Sequence, residues 1–175
     1  ATLIYLLEVL DINKNRSLEK KVLSSMDFLA EMILNNETIL RYYSITKNDW
    51  RGKSGLSDFA LLAKLFQQAF TTYSFERYKK AASKVLYISQ RKYYDSGKNI
   101  YIDPQLDTMD YENLMGINAD FAIGIMAERE NNVGKINKMV KPLVIYFSGL
   151  DEILEERIWD GKDWELLERY ALFLS

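Results

Sequence analysis

The stretch that decides the fold lies at residues 55–73, where the chain reads GLSDFALLAKLFQQAFTTY. Its apolar side chains recur at intervals of three and four residues, which is the spacing of one face of an α-helix. The apolar stripe consists of Leu62, Leu65, Phe66, Ala69 and Phe70, with Lys64, Gln67 and Gln68 opposite. We therefore predict a helix that is capped by Ser54 or Ser57 and ends near Tyr73.

Two neighbouring segments continue this helical periodicity. The pattern resumes at Ser74 and runs to Ser89, and a connection this short predicts that the two helices are antiparallel neighbours. Upstream, residues 17–34 predict another helix, with Ser17 as its N-cap. Glu19 falls in the first turn of that helix, where the helix dipole favours a carboxylate.

The remaining sequence completes a helical domain. Further helices are predicted at roughly 110–130, 133–148, 150–157 and 162–174. Two short segments, Thr38–Tyr43 and Asn99–Asp103, are β-branched and aromatic and are predicted to be extended. Because only 2 Pro and 8 Gly interrupt the chain, residues 1–175 are predicted to form a single all-α domain of antiparallel helical hairpins with short β segments.

The composition excludes several classes of function. The 175 residues include no Cys and no His, so zinc sites of the Cys/His kind, Ser-His-Asp triads and cysteine nucleophiles are impossible within them. With 23 Lys and Arg against 25 Asp and Glu, the formal charge of -2 provides no basic excess for nucleic acid or an anionic membrane. We expect neither a metal ion nor a cofactor.

The first ten residues, ATLIYLLEVL, are apolar but lack a basic region, and Glu8 interrupts them. They are therefore predicted to be neither a signal peptide nor a membrane span. The segment begins without Met and as a helix already under way, so we expect the chain to be a fragment of a longer protein. A chain without cysteine fits a cytoplasmic location, which is our expectation.

One segment resembles part of a calcium-binding loop. Asp11–Asn15 places oxygen-bearing side chains at the first three ligand positions of such a loop. However, Arg16 occupies the position that requires Gly, and Val22 occupies the position of the bidentate Glu. The sequence instead favours a turn between two helices with Asn caps.

Carboxylates are the candidate general acids and bases in a chain without His. Asp58 lies between apolar residues in the first turn of a predicted helix, where it serves either catalysis or the free backbone N–H groups. Asp95 lies between Lys92 and Leu114, the longest predicted non-helical stretch, and long loops are often functional. Its alternative role is to form a turn with Gly97.

Arg41 and the tyrosines are the candidate binding residues. Arg41 could clamp a carboxylate with two hydrogen bonds or stack on neighbouring tyrosines. The chain has 12 Tyr, and aromatic rings with a hydroxyl group suit the apolar faces and hydroxyls of a sugar. Packing between helices explains the same enrichment.

The sequence also resembles a known family at several positions. Gly55–Leu62 is similar to a helix-opening pattern of glycine, leucine, any residue, aspartate, aromatic and alanine. The pattern occurs in the toroidal C-terminal region of a thioredoxin-domain-containing family that includes the spermatogenesis-associated thioredoxin-like protein and bacterial homologues. Thr38–Tyr43, Thr72–Ala82, Tyr93–Tyr101 and Gly116–Ala119 resemble further motifs of that region in order and spacing.

The resemblance implies an (α/α)6 toroid of six helical hairpins, the fold of many glycosidases and of N-acylglucosamine epimerases. Such a toroid needs about twice this length, so the chain would be its later half, and the thioredoxin-like portion would lie upstream. The resemblance adds Asn118 to the candidate site, at a small-residue helix start. There the chain departs from the family, because Asp120 and Phe121 follow where small residues are usual.

Two functional hypotheses follow. In the first, the domain binds or processes a sugar or sugar acid, with Asp58 and Asp95 as acid and base and Arg41 as an anion clamp. The ligand would be bound by Tyr42, Tyr94, Tyr101 and Asn118. In the second, the domain is a non-catalytic helical module that packs against the missing N-terminal portion, a partner protein or a second copy.

Overall fold

The computed structural model describes residues 2–104 and 111–126. Within them the chain is mostly helical, as predicted, with two short antiparallel sheets. The helices are α1 (Thr2–Ile12), α2 (Arg16–Asn35), α3 (Leu56–Tyr73), α4 (Glu76–Tyr93) and α5 (Tyr111–Met126). The helices predicted at 133–148, 150–157 and 162–174 lie outside the described residues. No helix in the described ranges is both long enough and apolar enough to cross a bilayer.

The two sheets are both hairpins of two strands. Strands β1 (Leu40–Ser44) and β2 (Asp49–Lys53) connect α2 to α3, and β3 (Tyr94–Asp95) and β4 (Ile100–Tyr101) follow α4. The predicted extended segment Thr38–Tyr43 overlaps β1, and Asn99–Asp103 contains β4, so both segments are confirmed as extended. Strand β2 was not predicted, because its sequence DWRGK is mostly polar and includes glycine, both of which are uncommon in strands.

The helix contacts form two sets. Helix α3 contacts both α1 and α5, whereas α2 contacts α4. The contacts within the α1–α2 and α3–α4 hairpins connect the two sets. Helices α1, α3 and α5 are also more apolar than α2 and α4, as expected for helices that are covered on most sides.

The helix caps differ from those predicted. Asn15, not Ser17, caps α2, and its side chain accepts hydrogen bonds from the Ser17 and Leu18 N–H groups. This confirms the Asn-capped turn that the sequence favoured over a calcium loop. The N-cap of α3 is Gly55, not Ser54 or Ser57.

The ends of the longer helices show how well periodicity predicts boundaries. Helix α3 ends at Tyr73, as predicted, and Ser74 follows in a left-handed conformation with φ of 56°.

At the end of α2, the Lys84 ammonium donates to the Leu34 carbonyl at 2.9 Å. A residue of α4 thereby satisfies one of the last free carbonyls of α2.

Tyr78 fastens α4 to α2. Its side chain is fully buried, and its hydroxyl donates to Asp27 Oδ1 at 2.7 Å. Asp27 Oδ2 also lies 3.0 Å from an Arg77 nitrogen. Burial, and after it the hydrogen bond to Asp27, raises the pKa of Tyr78 above its ordinary value.

The contact between α3 and α5 generates a first prediction. A Cβ at Gly124 would lie 2.9 Å from Ala63 Cβ and 3.2 Å from the Ala63 carbonyl carbon. We expect Gly124→Ala to lower the free energy of unfolding, because overpacking costs about 1–3 kcal/mol against a gain in helix propensity of about 1 kcal/mol. Urea unfolding measures the change. Adding Ala63→Gly to Gly124→Ala should recover part of the lost unfolding free energy. If the effects of the two substitutions on unfolding free energy simply add, the close contact between residues 63 and 124 is contradicted.

The Tyr78 hydroxyl predicts a pH dependence. Because the pKa of Tyr78 is raised in the folded state, its contribution is fully present below about pH 10 and is lost as the pH rises further. We expect Tyr78→Phe to destabilise the protein by about 1 kcal/mol at pH 7. The difference in unfolding free energy from the unaltered protein should shrink above about pH 10. Urea unfolding at pH 7 and at a series of pH values above about 10 tests this, with Tyr5→Phe at an exposed position as the control.

Candidate functional site

Both strand pairs meet the same end of the α3–α4 hairpin. The Tyr93 hydroxyl, at the end of α4, donates to the Ser54 carbonyl just before α3 at 3.3 Å. The Tyr93 ring also packs edge-on against Phe59, in the first turn of α3, with a centroid distance of 5.4 Å. The start of α3 therefore lies beside the end of α4, which confirms that these helices are antiparallel.

This arrangement gathers five of the predicted site residues at one end of the hairpin. We call this surface the rim, and it consists of Arg41, Tyr42, Asp58, Tyr94 and Asp95. Arg41 Nε lies 3.6 Å from Asp58 Oδ2, so an ion pair connects β1 to the first turn of α3. The Arg41 side chain is 66% exposed, so most of this side chain is accessible to solvent.

Asp58 also completes the cap of α3. Its Oδ2 accepts a hydrogen bond from the Gly55 N–H at 2.9 Å. Gly55 has no side chain to cap the helix, so Asp58 reaches back to the N-cap backbone instead. The structure thus places Asp58 in the helix-start role that the sequence left open beside catalysis.

Asp95 forms a turn. Its Oδ1 accepts hydrogen bonds from the N–H groups of Gly97 at 2.8 Å and Lys98 at 3.1 Å. These bonds order the connection between β3 and β4, which the left-handed Asn99 completes with φ of 57°. Asp95 therefore has the alternative turn role that the sequence also indicated.

The tyrosines of the candidate site have different environments. Tyr42 is 55% exposed, and its ring lies against Gly52, where a Cβ would be only 2.9 Å from Tyr42 Cε1. Tyr94 is half-buried. Its pKa is raised by burial and, to a smaller extent, by the neighbouring Asp95 carboxylate. A phenol that stays protonated remains a hydrogen-bond donor.

Tyr101 lies in the core and not on the rim. It is fully buried, and its ring stacks on Phe121 at a centroid distance of 4.0 Å and an angle of 17°. Tyr101 also contacts the ring of Tyr94 across the β3–β4 pair at 5.1 Å. Because its ring is buried and packs against Phe121 and Tyr94, Tyr101 is a packing residue. It is not on a ligand-stacking surface, where it was predicted to lie.

Asn118 fastens the second strand pair to α5. Its Oδ1 accepts from the Tyr101 N–H at 2.6 Å, and its Nδ2 donates to the Tyr101 carbonyl at 2.9 Å. The same Nδ2 donates to the Leu114 carbonyl at 2.8 Å. The buried amide therefore pairs with β4 as a neighbouring strand would. It lies within α5, which begins at Tyr111, and not at the helix start that the resemblance implied.

The structure also reveals a buried ion pair that the sequence did not predict. Lys64 was predicted on the polar face of α3, but it is buried, with Nζ 3.4 Å from Asp120 Oδ1 of α5. The prediction was wrong because α1, α4 and α5 all contact α3 and leave this position covered. Asp120, the one carboxylate between Leu114 and Met126 of α5, was the available signal.

A cavity of about 530 Å³ lies away from the rim, at the far end of α3. It is lined by residues of α1, of the turn into α2, of α2 and of α3. These are Leu7, Leu10, Lys14, Arg16, Glu19, Thr72 and Tyr73. No sequence motif joins these residues, because they are far apart in the chain.

Among residues 2–104 and 111–126, no three acidic side chains come together in a way that could hold a metal ion. Comparisons with protein-family models, curated proteins and solved structures found no match to this chain.

The Asn118 amide generates a prediction for stability. We expect Asn118→Leu to lower the free energy of unfolding by about 2–4 kcal/mol, because it leaves the Tyr101 N–H and carbonyl buried without partners. Urea unfolding measures the loss. Asn36→Ala is the matched control, since Asn36 makes one partly buried bond to the Met32 carbonyl and should cost about 1 kcal/mol. Equal losses of unfolding free energy in Asn118→Leu and Asn36→Ala would contradict the inference that Asn118 holds β4 against α5.

Proposed function

We propose that this chain forms part of an (α/α)6 toroid, similar to the C-terminal region of the thioredoxin-domain-containing family, and that its rim binds a sugar or sugar acid. The packing of the described helices supports the toroid. In an (α/α) toroid, successive hairpins place alternate helices in an inner and an outer layer. Helices α1, α3 and α5 have the contacts and the apolar character of an inner layer, and α2 and α4 those of an outer layer.

The observation that carries the proposed ligand is the Arg41–Asp58 ion pair beside the exposed ring of Tyr42. The pair offers hydrogen-bond donors and an acceptor, which suit the hydroxyl groups of a sugar. The Tyr42 ring offers an apolar face. The hydroxyl of the half-buried Tyr94 donates to Asn99 Oδ1 at 3.4 Å and offers its oxygen as an acceptor. The accessible guanidinium group suits the carboxylate of a sugar acid.

The hydrogen bonds of the two carboxylates favour binding over hydrolysis. Asp58 accepts from the Gly55 N–H and Asp95 accepts from the Gly97 and Lys98 N–H groups, so both carboxyl groups already order the backbone. A catalytic acid or base must instead exchange a proton with the substrate. We therefore propose that Asp58 and Asp95 order the rim, and that Asp58 contacts the ligand together with Arg41.

A second candidate is a non-catalytic helical module. It is favoured by Asn118 and Tyr101, since both predicted ligand-binding residues are buried and serve the packing of α5 against β4. In that case the helical layers would pack against the missing N-terminal portion of the protein, a partner protein or a second copy. Under either proposal, the near-neutral charge argues against nucleic acid and membranes as partners, and we propose a cytoplasmic location.

Ligand binding by the rim is tested with neutral sugars and sugar acids. We expect at least one of them to raise the melting temperature of the full-length protein and to bind in calorimetry. Arg41→Gln should weaken binding of a sugar acid roughly tenfold, because a charge-assisted hydrogen bond is lost, and should affect a neutral sugar less. Tyr42→Ala should weaken the binding of both the sugar acid and the neutral sugar.

Lys47→Gln is the matched control, since Lys47 is an exposed cation in the turn between β1 and β2. It should leave both affinities unchanged. Absence of binding across a broad panel would overturn the proposed ligand and favour the helical module. Equal losses from Arg41→Gln and Lys47→Gln would show that general charge, and not the rim, determines binding.

A further inference from the structure

The cavity at the far end of α3 has a chemical character of its own. It lies beside Tyr73, the last residue of α3, whereas Asp58 lies in the first turn. At 1.5 Å per residue, these ends are roughly 20–25 Å apart along the helix axis. The cavity is therefore separate from the rim, and its volume of about 530 Å³ falls within the range of small-molecule sites.

Three charged side chains line this cavity, and they are Lys14, Arg16 and Glu19. The Glu19 carboxylate lies near the Tyr73 hydroxyl and, after burial, contributes to the raised pKa of Tyr73. Neither Lys14 nor Arg16 forms an ion pair with Glu19. Two cations and one carboxylate give the lining a net positive charge.

The remaining lining residues add an apolar side and a further hydroxyl. Leu7 and Leu10 come from α1, and both belong to the hydrophobic core that continues below the cavity. Thr72 lies next to Tyr73 at the end of α3. A ligand that satisfies all of these groups has one anionic group for the cations and an apolar body for the leucines.

We propose that this cavity binds a small amphipathic carboxylate, with its carboxylate group at Lys14 and Arg16 and its apolar body against Leu7 and Leu10. One negative charge matches the net positive charge of the lining. Because Asn15 already caps the first turn of α2, the site depends on the two side-chain cations and not on free N–H groups of the helix. The Glu19 carboxylate, which also lines the cavity, disfavours a second negative charge on that side.

Octanoate is a suitable probe, and its binding to the full-length protein is measured by calorimetry. We expect octanoate to bind, the neutral octanamide to bind more weakly, and octylammonium not to bind. Arg16→Gln and Lys14→Gln should each weaken octanoate binding up to about fivefold, as for exposed charge pairs, and the two together more strongly. Raising the salt concentration should weaken octanoate binding and leave octanamide binding unchanged.

Two further variants separate the cavity from general effects of charge and folding. Lys20→Gln removes an exposed cation of α2 that does not line the cavity, and it should not change octanoate binding. Thr72→Tyr fills the cavity from an exposed position and should abolish binding while the helical circular dichroism is retained. Absence of octanoate binding, or equal binding before and after removal of both cations, would overturn the proposal. Loss of sugar binding at the rim would leave it unaffected, since the two sites are tested with different probes.

Discussion

The rest of the structure depends on the packing of α3 between α1, α4 and α5. A helix with three neighbours has little surface left for solvent, so even its polar residues need partners inside the protein. Lys64 forms an ion pair with Asp120. Gly124 has no side chain, and this allows α5 to approach Ala63 of α3 closely. The packing of this one helix therefore determines which side chains its neighbours can carry at the points of contact.

The two ends of α3 carry different polar groups. At its start, the carboxylates that resemble catalytic residues are used by the fold, since Asp58 caps α3 and Asp95 forms a turn. At its far end, Lys14 and Arg16 border a cavity and form no ion pair with Glu19, the carboxylate that lines it with them. Residue type alone would place the chemistry at the first end, whereas the proposed carboxylate site lies at the second.

Periodicity predicted the helices well because it follows directly from which side chains are buried. The end of α3 at Tyr73 and the α2 segment were both recovered in this way. Caps were predicted poorly, because Asn15, Ser17, Ser54 and Gly55 are all acceptable cap residues and the chain path decides among them. Strand β2 and the buried position of Lys64 depend on contacts between distant segments, which local sequence does not encode. For the same reason the sequence identified Asn118 but not its role, since its partner Tyr101 lies 17 residues away.

The buried Lys64–Asp120 pair is better explained by specificity than by stability. Two apolar residues of similar volume would avoid the cost of desolvating both charges, and such replacements are often neutral or stabilising. An ion pair, however, is satisfied in one alignment of α5 along α3, as is the close contact at Gly124. Asn118 on the same helix holds β4, and β4 pairs with β3, which carries Tyr94 and Asp95. We infer that the buried pair fixes the positions of two of the five rim residues, Tyr94 and Asp95, although the pair itself is buried away from the rim.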